Sequence, residues 1–160
     1  MSELEVYLGI DTSCYTTSVA FMDRQANLIG ESRQILKVHE GKCGLQQSEM
    51  VFQHTRNLPE MITNAMPWGA KIIGVCASGY PRPLPDSYMP AFLVGAGLAR
   101  SVSVLNNIPL WLISNQENHL LDRKWSAGGP DDERFLFLHA SGGTTDLLTA
   151  EKDGSGSYKL

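Results

Sequence analysis

The sequence predicts an α/β fold: one five-stranded mixed sheet flanked by helices, followed by the first hairpin of a second lobe. The chain opens with three short apolar segments joined by tight polar connections, a pattern typical of an antiparallel meander. Two nearly uninterrupted apolar runs, residues 71–77 and 108–114, each follow a helical pattern, as parallel strands buried between helices do. We therefore expect a first lobe over residues 1–130 and the start of a second over residues 131–160.

The first half of the chain predicts three strands and a helix. The strands cover residues 5–10, 17–22 and 28–35. A helix begins near Ser48, a plausible N-cap followed by Glu49, and runs toward Met66 with apolar residues at helical spacing. Pro59 inside this pattern predicts a kink.

The second half alternates strands and helices before a final hairpin. After the strand at 71–77, prolines at positions 81, 83, 85 and 90 predict an irregular loop over 78–90. A helix at 91–105 contains Gly95 and Gly97, which allow close packing, and a short helix begins near Asn115 after the strand at 108–114. The last predicted strands cover 135–140, 146–151 and 158–160.

Composition excludes several functional classes. With 160 residues, 42% hydrophobic, and a formal net charge of -4, the chain lacks the overall basic character of a nucleic-acid-binding protein. Its three cysteines are widely spaced, which argues against a disulfide framework and for a reducing compartment. The apolar runs are too short to span a bilayer, so we expect a cytoplasmic protein without membrane contact.

Two turns rich in hydroxyl groups and glycine are the candidate binding sites. Each lies between two apolar strands, and successive free backbone N–H groups in such turns can bind phosphate. The alternative is a pair of ordinary polar hairpin turns whose hydroxyl groups are satisfied internally. The first turn carries Asp11, Thr12, Ser13, Thr16 and Thr17, and the second turn carries Ser141, Gly142, Gly143, Thr144 and Thr145.

The segment from Ser114 to Leu121 lies between these turns in the sequence and contains a possible metal ligand, His119. The alternative for His119 is an ordinary histidine on a helix face. Glu117 is either an acid/base group or a solvated helix carboxylate. The remaining histidines, at positions 39, 54 and 139, are interpreted as structural or surface residues.

Other enzyme classes fit the sequence less well. The stretch from Gly95 to Arg100 begins like a dinucleotide-binding motif but follows a proline-rich loop instead of a strand. The residues around Ser141 lack the first glycine of a nucleophile elbow, and no HExxH motif supports a metalloprotease.

Five segments in order resemble one known family. The element order is that of an actin-like (ribonuclease H-like) ATPase lobe, and the segments are LGIDTSCYTTSVA, QSEMVFQHTRNLPEMI, FLVGAGLARSVSVLNNIPLWLIS, SNQENHLL and FLFLHASGGTTDLL. They resemble the TsaD family, the glycoprotease-like proteins once called O-sialoglycoprotein endopeptidases, which transfer threonylcarbamoyl groups to tRNA. The resemblance covers the whole chain and implies the N-terminal half of such a protein.

The resemblance implies a nucleotide, ATP or an acyl-adenylate, held between the two turns, with tRNA as the acceptor in the full-length form. It also implies a divalent metal bound at His119 and, more weakly, at Asn115, because Asn115 stands where the family motif has its first histidine. The proline-rich loop and the TSCYTT segment differ from the typical family members. These departures resemble a paralogous branch found in Gram-positive bacteria.

A second function remains open: a non-catalytic actin-like lobe that works by pairing, as the TsaB partners of the family do. The resemblance implies that most of the second lobe, with the aspartate that completes the metal site, lies beyond the segment matched here. We therefore expect either a longer native chain or a half that pairs as a homodimer or with a family partner protein.

Overall fold

The computed structural model describes residues 3–141, 144–154 and 156–160. Within these residues the chain forms three helices and eight strands. The strands are β1 Glu5–Asp11, β2 Thr16–Met22, β3 Leu28–Ile35, β4 Lys71–Tyr80, β5 Leu110–Ser114, β6 Arg134–Ala140, β7 Thr145–Lys152 and β8 Tyr158–Lys159. The helices are α1 Gln47–Ala65, α2 Pro90–Asn106 and α3 Asn115–Ala127.

The first five strands form one mixed sheet in the order β3-β2-β1-β4-β5. Strands β1, β2 and β3 pair in antiparallel fashion, and β4 pairs in parallel with both β1 and β5. This is the predicted five-stranded sheet. The carboxyl end of β1, where the first turn begins, therefore lies beside the carboxyl end of β4, where the proline-rich loop begins.

The main core lies between this sheet and the helices α1 and α2. In β1 and β2 alternate residues are buried, so each strand contributes a single face to the core. Helix α1 contacts β2 and β3, helix α2 contacts β4, and the two helices contact each other. The buried apolar residues are Val6, Leu8, Ile10, Val19, Phe21, Leu58, Met61, Ala65, Val75, Ala77 and Ala99.

Several boundaries differ from the prediction: β5, for example, begins at Leu110 and not at residue 108. Two differences matter for the account. Helix α1 begins at Gln47 with Gln46 as its N-cap, and no side chain caps it, so the prediction of Ser48 as N-cap is wrong. Strand β4 continues to Tyr80, so residues 78–80 are not part of an irregular loop. Ser78 pairs with Ile113 of β5 and is buried, which shows that tertiary pairing overrides the weak strand propensity of a Ser-Gly segment.

Helix α3 joins the first sheet to a second. It spans 13 residues, longer than the short helix expected, and contacts β4, β5 and β6. The second sheet has the order β6-β7-β8 and packs on α3 through Leu120, Ala150 and Tyr158. It begins at Arg134; the division into lobes at residue 130 remains a prediction. Of the helices in the described ranges, none combines the length and apolar character needed to cross a bilayer.

Candidate functional site

Helix α3 connects the two predicted turns through adjacent residues. Nδ2 of Asn118 donates a hydrogen bond to Oδ2 of Asp11 at 3.1 Å, at the start of the first turn. The ring of the next residue, His119, lies 5.1 Å from the ring of His139, measured between centroids. His139 is two residues before Ser141, where the second turn begins. The structure therefore brings the beginnings of the two turns together at α3.

The start of α3 is fixed by a reciprocal capping box. Oγ of Ser114 accepts a hydrogen bond from the Glu117 backbone N–H, and the Glu117 carboxylate accepts one from the Ser114 backbone N–H at 2.7 Å. Glu117 therefore caps α3. The sequence analysis had considered it as an acid/base group or as a solvated carboxylate, and had not included this structural role. The cap sets the direction in which Asn115, Asn118 and His119 project.

In the first turn, Thr12 anchors the chain to α2. Its side chain is fully buried; Oγ1 donates to the carbonyl of Ala91 at 2.8 Å and accepts from the Gly95 N–H at 3.1 Å. A Cβ atom on Gly95 would lie 2.9 Å from that Oγ1, so only glycine allows this approach. The Thr12 hydroxyl is thus engaged inside the protein.

Thr17 plays a similar part on the other side of the turn. Its Oγ1 lies 2.9 Å from Nδ1 of His54 and accepts a hydrogen bond from Asn57, while Nε2 of His54 lies 3.0 Å from the Cys14 carbonyl. Because a carbonyl only accepts, Nε2 of His54 carries the proton and Nδ1 accepts from Thr17. Burial lowers the pKa of His54, which favours this neutral form. His54, expected to be a structural or surface histidine, is structural and buried.

The groups of the first turn that face outward are those at Asp11, Ser13 and Thr16. All three residues are half-buried, and the Ser13 N–H donates to Oδ1 of Asp11 at 2.7 Å. Cys14 and Tyr15 between them are exposed. The candidate phosphate contacts at this turn are thus the side chains of Ser13 and Thr16 and backbone N–H groups other than that of Ser13, which Asp11 occupies.

The second turn closes through Ser141 and Thr144. The Ser141 N–H donates to the Thr144 carbonyl at 2.8 Å, and the two side-chain oxygens lie 3.1 Å apart. Gly142 and Gly143, also assigned to this turn, lie outside the described residues. The exposed hydroxyl groups of Ser141 and Thr144 remain candidates for contact with a ligand.

The proline-rich loop contributes Arg82 to the same region. Nη2 of Arg82 lies 3.3 Å from Oδ2 of Asp146, and the same oxygen accepts a hydrogen bond from Gln116 of α3 at 2.9 Å. These three side chains line a cleft of about 180 Å³ that Leu84, Leu148 and Leu160 complete. Neither Asp146 nor Arg82 was identified as a site residue from the sequence. The Asp146 carboxylate offsets the positive charge that Arg82 brings to this edge.

The most unusual residue of the region is His139. It is 6% exposed, and neither of its ring nitrogens has a hydrogen-bond partner among the described residues. Oδ1 of Asn115 is also buried and unpaired within them. Burial, and after it the nearby His119, lowers the pKa of His139. Each unpaired buried polar group costs about 1–3 kcal/mol, so these buried atoms of His139 and Asn115 require an explanation.

No group of three or more His, Cys, Asp or Glu side chains that could hold a metal is found within the described ranges. Asn115 and His119 lie four residues apart on α3 and so share one face of the helix. The predicted metal ligands are thus on the same face but do not by themselves complete a site. The metal assignment remains a prediction.

Comparison with known proteins supports the family resemblance. Over 155 residues the chain is 30% identical to the tRNA N6-adenosine threonylcarbamoyltransferase of Nitrosomonas eutropha, a match that covers 96% of this chain and 44% of that protein. The chain therefore spans less than half the length of this relative. No protein-family model matches the chain. The resemblance to the TsaD family is confirmed, whereas the assignment to a Gram-positive branch remains a prediction.

Solved structures establish the fold. YeaZ from Pseudomonas aeruginosa superposes with a TM-score of 0.63 at 13% identity, over 98% of this chain and 64% of that one. A ROK family glucokinase from Streptomyces griseus, solved with glucose and AMPPNP, gives a TM-score of 0.56 at 9% identity, over 96% of this chain and 46% of that one. The five-stranded sheet with its helices thus has the actin-like ATPase fold.

Proposed function

We propose that this chain, similar over nearly its whole length to tRNA N6-adenosine threonylcarbamoyltransferases, is the nucleotide-binding N-terminal half of a TsaD-like transferase. In this proposal the phosphates of ATP or of an acyl-adenylate lie between the first and second turns. The full-length form would transfer the threonylcarbamoyl group to N6 of a tRNA adenosine. One observation carries the proposal: Asn118 and His119 of α3 contact the strands that lead into both turns.

The protein's role in such a reaction is positioning and charge neutralisation. Thr12 and Thr17 fix the first turn through buried hydrogen bonds, which preorganises for phosphate oxygens the backbone N–H groups of the turn other than that of Ser13. Arg82, which is ion-paired with Asp146, places a guanidinium group beside β7, the strand that follows the second turn. Fixed donors of this kind lose little entropy when the nucleotide binds.

The Asp11 carboxylate adds a requirement for a cation. A phosphate group at the first turn would be repelled by Asp11 unless a positive charge lay between them. ATP normally carries Mg²⁺ into a site, and this ion takes carboxylate and phosphate oxygens as ligands. We therefore expect nucleotide binding to depend on Mg²⁺. A further divalent metal on α3, with His119 and Asn115 among its ligands, would add positive charge that favours phosphate binding.

The binding step is tested by calorimetric titration of Mg²⁺-ATP. Ser13→Glu places a carboxylate in the first turn, where it would repel phosphate, so we expect at least tenfold weaker binding. Ser101→Glu is the matched control, because Ser101 is exposed on α2. Equal affinities for the Ser13→Glu and Ser101→Glu proteins would remove the first turn from the site.

The transfer step is tested separately, with tRNA that lacks the modification and threonylcarbamoyl-adenylate as donor. Mass spectrometry of the digested tRNA should detect N6-threonylcarbamoyladenosine when the full-length form is present. Nucleotide binding without any modified nucleoside, also in the presence of a family partner protein, would reject the transferase and leave a nucleotide-binding lobe.

A second candidate function is a pairing module, and an exposed apolar surface favours it. Leu136, Leu138 and Leu147 on the outer face of the β6–β7 hairpin are 69%, 63% and 66% exposed, and Leu138 pairs directly with Leu147. Such a surface on a sheet is typical of a contact with another protein. We propose that this face carries the homodimer or partner contact.

A further inference from the structure

We propose that His139 is a metal ligand that replaces the imidazole missing at Asn115, so that His119 and His139 together form a two-histidine site for a borderline divalent transition metal. This inference extends the proposed metal ligands of α3 but does not require that the turns bind nucleotide. It assigns a ligand from the second sheet, where the sequence analysis had considered α3 alone.

The distance between the rings fits a shared metal ion. A zinc-type ion binds imidazole nitrogen at about 2.0–2.1 Å, so two imidazoles on one tetrahedral ion have ring centroids roughly 5 Å apart. The centroids of His119 and His139 are 5.1 Å apart and the ring planes are inclined by 68°. Two histidines from different elements, one on α3 and one on β6, thus have a ring spacing that one shared ion allows.

The unpaired ring nitrogens of His139 also support a metal ligand at this position. Only 6% of the surface of His139 is exposed, yet both of its ring nitrogens lack a hydrogen-bond partner among the described residues. The alternation of β6 places it on the same face as Phe135 and Phe137, which pack against α3, and its ring contacts that of Phe137. If this side chain only filled space on the apolar face, an aromatic or aliphatic residue would do so without burying two unpaired nitrogens. A metal ion would engage one of the unpaired nitrogens.

Asn115 is a further candidate ligand for the proposed metal ion. It lies one helical turn before His119, and its buried Oδ1 is unpaired within the described residues. An amide oxygen is a weak ligand, so the two imidazoles dominate the choice of metal: Zn²⁺, Co²⁺ or Fe²⁺ before Mg²⁺. His119 is only half-buried, which leaves an approach for the ion and positions for water or a phosphate oxygen.

Cobalt(II) titration followed by visible absorption tests the site without any enzymatic activity. We expect the protein to bind one Co²⁺ per chain with a change in its d–d bands. His119→Ala and His139→Leu should each weaken Co²⁺ binding at least about tenfold. Loss of a residue that only hydrogen-bonds to a metal ligand already weakens metal binding by about that factor, and loss of a ligand should weaken it more. His39→Ala is the matched control, because His39 is exposed in the loop between β3 and α1, and this variant should bind like the wild type.

Folding of the variants is checked by thermal unfolding without metal. His139→Leu replaces an imidazole with an apolar side chain of similar size and should melt at the wild-type temperature or above without metal. Co²⁺ should raise the melting temperatures of the wild type and of His39→Ala, and should have little effect on His119→Ala and His139→Leu. Asn115→His should strengthen Co²⁺ binding. Absence of stoichiometric Co²⁺ binding by the wild type, or equal binding by the wild type and His139→Leu, would overturn the proposal whether or not the turns bind ATP.

Discussion

Nδ1 of the buried His54 accepts a hydrogen bond from Oγ1 of Thr17 at 2.9 Å, while Nε2 of the same ring lies 3.0 Å from the carbonyl of Cys14. One side chain of α1 thus holds both the tip of the first turn and the first residues of β2. Both ring nitrogens are paired in the neutral form. Protonation of Nδ1 would reverse its hydrogen bond with Thr17 and leave the Thr17 hydroxyl hydrogen without this acceptor.

Acid should therefore destabilise the protein through His54. The pKa of this histidine is lowered by burial from its ordinary value of 6.5, so below about pH 6.5 the unfolded chain takes up the proton before the folded one. The free energy of unfolding then falls as the pH falls, by at most about 1.4 kcal/mol per pH unit for this single group. Above that pH His54 is neutral in both the folded and the unfolded chain, and it no longer makes the free energy of unfolding depend on pH.

Urea unfolding at pH 7.5 and at pH 5.5 measures this term. The loss of stability between the two pH values should be smaller in His54→Gln than in the wild type. It should be unchanged in His39→Ala, which removes an exposed histidine. The same loss in all three proteins would show that His54 does not control the acid sensitivity.

The approach of α2 to the first turn gives a second prediction. Gly95→Ala would place a Cβ atom 2.9 Å from Oγ1 of Thr12 and 3.2 Å from Cγ2 of Ile10, so we expect a loss of about 1–3 kcal/mol from overpacking. On the same helix, a Cβ atom at Gly97 would meet no atom of the described residues within 4 Å outside the adjacent helix backbone, so Gly97→Ala should gain up to about 1 kcal/mol from helix propensity. Denaturant unfolding of the two variants compares them, and equal stabilities would contradict the close contact.

The exposed face of the β6–β7 hairpin gives a third prediction. We expect sedimentation velocity to show a concentration-dependent dimer, and Leu138→Asp to shift it to the monomer because a carboxylate would be buried in the contact. Leu93→Asp provides the control, since Leu93 is 54% exposed on α2. A wild-type protein that sediments as a monomer at every micromolar concentration would reject this contact.

The strand pattern allowed most of the fold to be predicted. Apolar alternation in residues 5–22, the tight polar connection before residues 28–35 and the apolar runs in β4 and β5 carry enough signal to identify the five strands and the parallel placement of the last two. The end of β4 was missed because Ser78 and Gly79 have weak strand propensity, and only their pairing with β5 makes them a strand. Long-range pairing of this kind leaves no local mark in the sequence.

The site was predicted less completely. Thr12 and Thr17 were grouped with the outward-facing residues of the first turn, although the period of two in β2 places Thr17 on the same face as Val19 and Phe21. The same alternation in β6 could have identified His139 as an inward-facing residue beside Phe137. Its distance from His119 could not be predicted, because the packing of α3 on the second sheet decides it.

Hydrogen–deuterium exchange with and without Mg²⁺-ATP tests most directly whether the two turns bind one nucleotide. If backbone N–H groups bind the phosphates, exchange should slow in peptides covering residues 11–17 and in peptides covering residues 141–145, at the same ATP concentration. Peptides that cover residues 101–106, at the end of α2, should exchange at unchanged rates. Protection of only one turn, or of neither at ATP concentrations that saturate the protein, would contradict the account.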